Sequence, residues 1–161
     1  MLRAMNLATQ AASAAQGRSL TGLQTRGAVG GPLRVLLVDD SRVSRMLVTT
    51  VLTRWGIVPT IACNGAQAVL VIERQNFDIV LMDMLMPVMD GVVATAKIRQ
   101  AERESPLRAQ VPIIAYTSLN LGTDPGLLAR VGLTAVLPKP CSPSSLQACL
   151  ARSCPDRFLV N

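Results

Sequence analysis

Short apolar runs alternate along the chain with longer segments in which apolar residues recur at helical spacing. The short runs are rich in Val, Leu and Ile, as is typical of strands that are buried on both faces of a sheet. The predicted strands are residues 33–38, 57–62, 78–82, 111–116 and 134–137. This pattern indicates a parallel sheet whose two faces are covered by helices.

The segments between the strands predict helices. They cover about 41–55, 65–75, 91–104 and 125–131, and a last helix begins at Ser142-Pro143. Ser41 and Ser142 are plausible N-caps, Asn64 precedes the second helix, and Gly132 ends the fourth. The apolar residues that follow helical spacing in the first two helices are Val43, Met46, Leu47 and Val51, then Ala66, Val69 and Leu70. The fold class is therefore α/β, a doubly wound parallel sheet of five strands with five helices.

The 161 residues suit one folded domain, which we place at residues 33–152. Residues 153–161 form a short C-terminal tail. Residues 1–31 contain no acidic residue and are rich in Ala, Ser, Thr, Gln and Gly, so we expect them not to fold alone. A disordered tail and an organelle-targeting segment both fit this composition, and both stay open.

Four of the six net positive charges come from residues 1–38, which contain four arginines and no acidic residue. From residue 39 onward, 12 basic residues face 10 acidic ones. A nucleic-acid-binding face is therefore not expected. No apolar stretch approaches the roughly eighteen residues that a membrane span needs, so no membrane contact is expected either.

Histidine is absent from the chain, and the four cysteines have no CxxC spacing. Catalysis by a Ser-His or Cys-His pair is excluded, as are imidazole ligands to a metal. We expect the cysteines to be free thiols in a reducing compartment.

Polar side chains follow four of the predicted strands where each strand ends. Asp39 and Asp40 follow the first strand, Asp83 the third, Thr117 the fourth and Lys139 the fifth. Ligands bind at the carboxyl ends of strands in open α/β sheets. Three carboxylates, a hydroxyl and an ammonium at one edge predict a site for a divalent cation and a phosphoryl group. Capping of the first helix is the alternative explanation for the two adjacent aspartates.

The segments that carry these residues resemble the receiver domain of two-component response regulators, the CheY-like superfamily. The resemblance covers residues 33–152 and rests on four segments, 38–41, 81–91, 114–118 and 137–140. It implies a flavodoxin-like sheet with strand order 2-1-3-4-5. The stretch around Asp83 is most similar to receivers of plant and other eukaryotic phosphorelays, such as those of cytokinin signalling.

The resemblance implies a role for each acid. Asp83 is the residue that accepts a phosphoryl group. Mg²⁺ is the implied cofactor, bound directly by Asp40, Asp83 and the main-chain carbonyl of Leu85, with Asp39 acting through water.

The resemblance also implies that Lys139 pairs with the phosphoryl group and that Thr117 moves toward it. The Pro-Lys-Pro frame favours a cis peptide bond between Lys139 and Pro140. Many family members have an aromatic residue at the position of Val136, so output through an aromatic switch is not expected here. Leu85 and Leu119 stand where polar residues often assist the hydrolytic water, which predicts a long-lived phosphoryl group.

The implied donor is a histidine phosphotransfer protein or a histidine kinase. We expect self-phosphotransfer and slow autodephosphorylation, with no turnover of a small molecule. A stand-alone receiver, acting as a monomer or weak dimer, and a fragment of a hybrid histidine kinase both fit. The expected location is the cytoplasm, with the nucleus as an alternative.

Two other classes remain alternatives. A pseudo-receiver has the same fold but serves as a binding module without phosphorylation. A phosphohydrolase of the haloacid-dehalogenase type also uses an aspartate nucleophile after a strand, but it needs a second aspartate where this chain has Leu85.

Overall fold

A computed structural model describes residues 31–105, 109–119 and 125–157 of the chain. All ten predicted elements are present in the predicted order. They are β1 (Val35–Val38), α1 (Arg42–Arg54), β2 (Thr60–Ala62), α2 (Gly65–Arg74), β3 (Ile79–Met82), α3 (Gly91–Glu104), β4 (Ile113–Thr117), α4 (Pro125–Arg130), β5 (Ala135–Pro138) and α5 (Pro143–Ser153).

The strands form one sheet with the order β2-β1-β3-β4-β5, and every pairing is parallel. Both the α/β class and the flavodoxin-like strand order are confirmed. Because all strands run the same way, the residues that follow β1, β3, β4 and β5 emerge at one edge of the sheet.

The side chains of each strand alternate between two hydrophobic cores, one on each face of the sheet. Helices α1 and α5 cover the first core, which contains Leu37, Leu81, Ile114, Tyr116, Leu52 and Leu150. Helices α2, α3 and α4 cover the second, which contains Val38, Met82, Ala115, Ile72, Ile98 and Leu128. Tyr116 and Thr117 are neighbours in β4, so their side chains point to opposite faces.

Of the apolar residues at helical spacing in α1 and α2, Val51 and Val69 pack against the two hydrophobic cores, whereas several others are exposed. In α1 the fully buried residues are Val48 and Leu52. The exposed apolar residues of the two helices include Val43, Met46, Leu47 and Leu70. Apolar residues occupy more than one side of each helix, so spacing alone does not show which side meets the sheet.

Strand β2 is shorter at its start than the sequence predicts. The predicted strand begins at residue 57, but β2 begins at Thr60. The Ile57 N–H donates to the Leu52 carbonyl at 3.0 Å and so extends the end of α1. Pro59 has no N–H to donate to a sheet, so pairing starts after it.

Polar caps fix the points where helices begin near the carboxyl edge of the sheet. The predicted caps Ser41 and Ser142, and also Asn64 before α2, each accept a hydrogen bond from a main-chain N–H in the first turn of their helix. Asp90 does the same for α3, accepting from the Val93 N–H at 2.8 Å. Gly132, with φ of 82°, follows α4 as predicted.

At the opposite edge of the sheet, Asp78 connects distant parts of the chain. Its carboxylate accepts from the side chain of Arg34 at 2.9 Å and from that of Arg157 at 3.2 Å. A second guanidinium nitrogen of Arg157 donates to the carbonyl of Gly31 at 3.3 Å. Residues 31 and 157 therefore lie at the same edge.

The predicted N-terminal tail falls almost wholly on residues outside the described part of the chain, and residues 158–161 lie outside it too. Both tails stay predictions. Among the helices that the structure describes, none combines the length and apolar character required to cross a membrane.

Candidate functional site

The three aspartates that follow β1 and β3 lie together at the carboxyl edge of the sheet. One oxygen from each of Asp39, Asp40 and Asp83 lies within 4.8 Å of the others. Asp39 is fully buried and Asp83 is 7% exposed, whereas Asp40 is exposed. The cluster thus has two fixed inner carboxylates and one that faces solvent.

The Lys139 ammonium bridges the two inner carboxylates. Its Nζ lies 2.5 Å from Asp39 Oδ2 and 2.6 Å from Asp83 Oδ2. The lysine follows β5, where its N–H donates to the Thr117 carbonyl at 2.9 Å, and its peptide bond to Pro140 is cis, as predicted. One ammonium opposes three carboxylates here, so a further cation could neutralise the remaining negative charge.

Asp39 has further partners that sequence reasoning missed. Its carboxylate accepts from the Ser41 N–H at 2.8 Å and from the Ser44 hydroxyl at 2.5 Å. The Arg45 side chain donates to the Asp39 main-chain carbonyl at 2.6 Å. Ser44 and Arg45 lie within α1 and belong to no motif, so only the packing of α1 beside β1 reveals them.

Thr117 ends β4 next to this cluster and is fully buried. Its Oγ1 accepts from the Leu119 N–H at 3.2 Å, and its carbonyl accepts from Lys139. The structure therefore links Thr117 to the lysine through the main chain and brings the carboxylates and the lysine together through their side chains.

The loop from β3 to α3 approaches Asp83 closely. The Leu85 N–H donates to Asp83 Oδ1 at 3.2 Å, and the Leu85 side chain is 57% exposed. A Cβ at Gly91 would lie 2.1 Å from the Asp83 carbonyl oxygen, so only glycine fits there. Val88, in the same loop, has a φ of 72°, which is strained for a β-branched residue.

Tyr116 lies beneath the lysine on the side of the first core. The Lys139 Nζ is 4.9 Å from the centre of its ring, and the residue is only 5% exposed. Burial raises the pKa of the Tyr116 hydroxyl to about 12, and the Cys141 thiol acts in the same direction. A hydrogen bond with Ser44 acts in the opposite direction. The phenol is therefore neutral near pH 7.

The donor set fits a hard divalent cation. All the side-chain ligands are carboxylate oxygens, which Mg²⁺ prefers, and the exposed position of Asp40 leaves room for water or phosphate oxygens. Like charges this close repel one another, and a cation relieves that repulsion.

Comparison with known proteins agrees with this arrangement. The family model of the response regulator receiver domain matches residues 35–151. Transcription factor SKN7 of Saccharomyces cerevisiae is 33% identical over 124 residues, which are 77% of this chain and 19% of that protein. Sensor protein GacS of Pseudomonas syringae is 36% identical over 126 residues, 75% of this chain and 14% of that protein. The chain therefore spans a small part of these relatives' length.

One solved structure is similar to this chain over nearly the whole length of that structure. It is the receiver domain of a sensor histidine kinase of Pseudomonas aeruginosa, with a magnesium ion coordinated in the active site cleft. The two are 35% identical with a TM-score of 0.67, covering 78% of this chain and 99% of the other. The four predicted segments, the fold and the family match agree, and this chain belongs to the response regulator receiver domain family of two-component signalling.

Proposed function

We propose that this protein accepts a phosphoryl group on Asp83 from a phosphohistidine of a partner protein, in a Mg²⁺-dependent phosphorelay. The observation that carries the proposal is the position of the Lys139 ammonium, 2.6 Å from Asp83 and 2.5 Å from Asp39. A lysine held between two buried carboxylates supports the proposal, because an incoming phosphoryl oxygen needs a positive charge beside Asp83.

The transfer requires positioning more than covalent chemistry from the protein. A carboxylate oxygen of Asp83 attacks the phosphorus of the donor, the new P–O bond forms, and the P–N bond to the donor's imidazole breaks. The imidazole leaves with the bonding pair. Lys139 then exchanges its contact with the Asp83 carboxylate for one with a phosphoryl oxygen.

Magnesium is supported by the donor set and by the similar receiver structure that contains it. Asp40, Asp83 and the Leu85 carbonyl would hold the ion directly, and Asp39 would do so through water. When bound, the ion supplies positive charge to the transferred oxygens. Asp39 has a separate task in this chain, because its buried carboxylate holds the lysine at the strand edge.

Thr117 is the residue that we propose responds to the new group. Phosphorylation adds negative charge and acceptor oxygens next to the end of β4. The Thr117 hydroxyl can then replace its present bond with the Leu119 main chain by one to a phosphoryl oxygen, which biases the chain beyond β4 between two arrangements.

The donor we propose is a histidine phosphotransfer protein or a histidine kinase, because relatives of this chain include sensor and hybrid histidine kinases. No described feature of the site favours a cytokinin relay over another phosphorelay.

The free thiols of the described chain suit a reducing compartment. We therefore propose the cytoplasm or nucleus as the location, and a monomer or weak dimer as the acting form.

The test is transfer of labelled phosphate from a phosphorylated phosphotransfer protein, with Mg²⁺ and with EDTA. We expect label on the wild type with Mg²⁺ and none on Asp83→Asn. Asp90→Asn is the matched control, because Asp90 caps α3 and an asparagine can cap it as well. Equal labelling of the wild type and Asp83→Asn would contradict the proposal and place the phosphoryl group on another residue. No labelling of the wild type would contradict it and favour a pseudo-receiver.

A further inference from the structure

We propose that Tyr116 is a positioning residue that holds the Lys139 ammonium at the carboxyl edge of the sheet. This inference rests on the proposed function, because Lys139 is the group that it positions. The structural basis is the position of the Tyr116 ring, whose centre lies 4.9 Å from the Lys139 Nζ.

The contact is electrostatic as well as steric. A cation over the face of an aromatic ring is attracted by the ring quadrupole, more strongly when both groups are shielded from water. The Lys139 side chain is 16% exposed and Tyr116 is 5% exposed, so both groups are shielded. The phenol is neutral, so this contact is one of a cation with a ring and is independent of a phenolate charge.

The ring is itself held in place. It belongs to the core beneath α1 and α5, where Leu37, Leu137 and Leu146 also lie. Its hydroxyl is next to Ser44, which in turn donates to Asp39 Oδ2, the same oxygen that Lys139 contacts. Ser44 thus links Tyr116 to Asp39, and the ammonium contacts both.

The ring contact has a property that the contact with Asp83 lacks. The lysine must give up its bond with Asp83 when a phosphoryl group arrives, but it need not leave the face of Tyr116. The ring therefore keeps the ammonium near the strand ends during the exchange. Without it, the long lysine side chain has more conformations open to it in that step.

The experiment uses the protein's small number of lysines and aromatic residues. Lys139 and Lys97 are the only lysines and Tyr116 is the only tyrosine. With ¹³C at the lysine ε-carbons, NMR gives two signals, and the exposed Lys97 is an internal reference. Tyr116→Phe keeps the ring, Tyr116→Leu removes it, and Leu150→Ala truncates the same core on α5 as a control for lost packing.

We expect the ε-methylene protons of Lys139 to be shielded by the ring relative to those of Lys97 in the wild type and Tyr116→Phe, and not in Tyr116→Leu. We expect the rate of phosphoryl transfer to fall by roughly threefold to thirtyfold in Tyr116→Leu, and to stay within about twofold of the wild type in Tyr116→Phe and Leu150→Ala.

Unshielded Lys139 protons in the wild type would overturn the inference without any variant. It would also be overturned if Tyr116→Leu loses the shielding but transfers at the wild-type rate, or if Tyr116→Phe is as slow as Tyr116→Leu. Failure of the wild type to accept phosphate would count against the proposed function, whereas the NMR comparison would still decide whether the ring holds the ammonium.

Discussion

Among single side chains, Leu85 lies two positions beyond Asp83, and Leu119 lies two positions beyond Thr117. Neither leucine offers a polar group to a water molecule. Their side chains are 57% and 37% exposed, so both are accessible from solvent beside the site. Loss of the phosphoryl group requires a water aligned with the phosphorus, and apolar side chains do not align it. Under the proposed function, slow hydrolysis of phosphorylated Asp83 therefore stays a prediction.

We predict that the double variant Leu85→Asn, Leu119→Glu loses its phosphoryl group faster than the wild type. A positioned acid or base contributes on the order of a hundredfold to such a step, and a newly introduced pair should give roughly tenfold. The lifetime of the labelled protein after removal of the donor measures it. Leu70→Asn, at an exposed leucine of α2, is the control. Unchanged lifetimes would show that these positions do not govern hydrolysis.

The residues of the site differ in how far the sequence reveals them. Asp39, Asp83 and Lys139 follow apolar runs, so a parallel sheet is enough to bring them together. Ser44 lies in the middle of a helix, and Tyr116 resembles any core residue of a strand. Their contacts depend on how α1 packs on the sheet, which the pattern of α1 does not indicate.

Among the loops and helices, the connection from β3 to α3 carries the clearest strain. Val88 is 85% exposed with a φ of 72°, and a side chain in the left-handed region costs on the order of 1–2 kcal/mol. Asparagine tolerates this region better than a β-branched residue does. The Val88→Asn variant should therefore raise the free energy of unfolding by about 1 kcal/mol.

Chemical denaturation of the wild type and variant measures this change. Val58→Asn is the matched control, because Val58 is 79% exposed in a loop but does not have a positive φ. We expect that control to change stability by less than about 0.5 kcal/mol. A fall in stability for Val88→Asn would mean that the valine side chain has a stabilising contact that outweighs its backbone strain.

The order and kind of the elements could be predicted because short apolar runs alternate with longer segments, and residues such as Ser41, Ser142 and Gly132 mark helix ends. The faces of α1 and α2 could not, since apolar residues such as Met46 and Leu70 lie on their exposed sides. The start of β2 was misplaced because Ile57 is apolar like a strand residue but donates its N–H to α1. Tertiary contacts decided each of these cases.

Across the whole molecule, Asp78 joins the first strand to the segment after the last helix. Burial alone would raise the pKa of Asp78, but hydrogen bonds from the side chain and main chain of Arg34, with the charges of Arg34 and Arg157, lower it overall. Because the folded pKa lies below that of the unfolded chain, acid favours unfolding. The stabilisation is present above the ordinary pKa of 3.8 and is lost as the pH falls through the folded value.

We predict that Asp78→Asn lowers the free energy of unfolding at pH 7 by about 0.5–1 kcal/mol, since the Arg34 side chain is half exposed and its charge is screened. The difference from the wild type should shrink as the pH falls below about 4. Denaturation curves between pH 3 and 7, on the order of one per pH unit, measure it. Asp156→Asn is the control, because Asp156 is exposed and lies next to Arg157 in the turn after α5. A difference that does not change with pH would exclude the ionised carboxylate as its source.

The bond from Arg157 to the carbonyl of Gly31 has a practical consequence for engineering. A polypeptide that enters and leaves at neighbouring points can be spliced into a surface loop of a host protein without being pulled open. In such a chimera the host would lie at the edge of the sheet that carries residues 31 and 157. The aspartate cluster, at the opposite edge, would stay accessible to a donor protein.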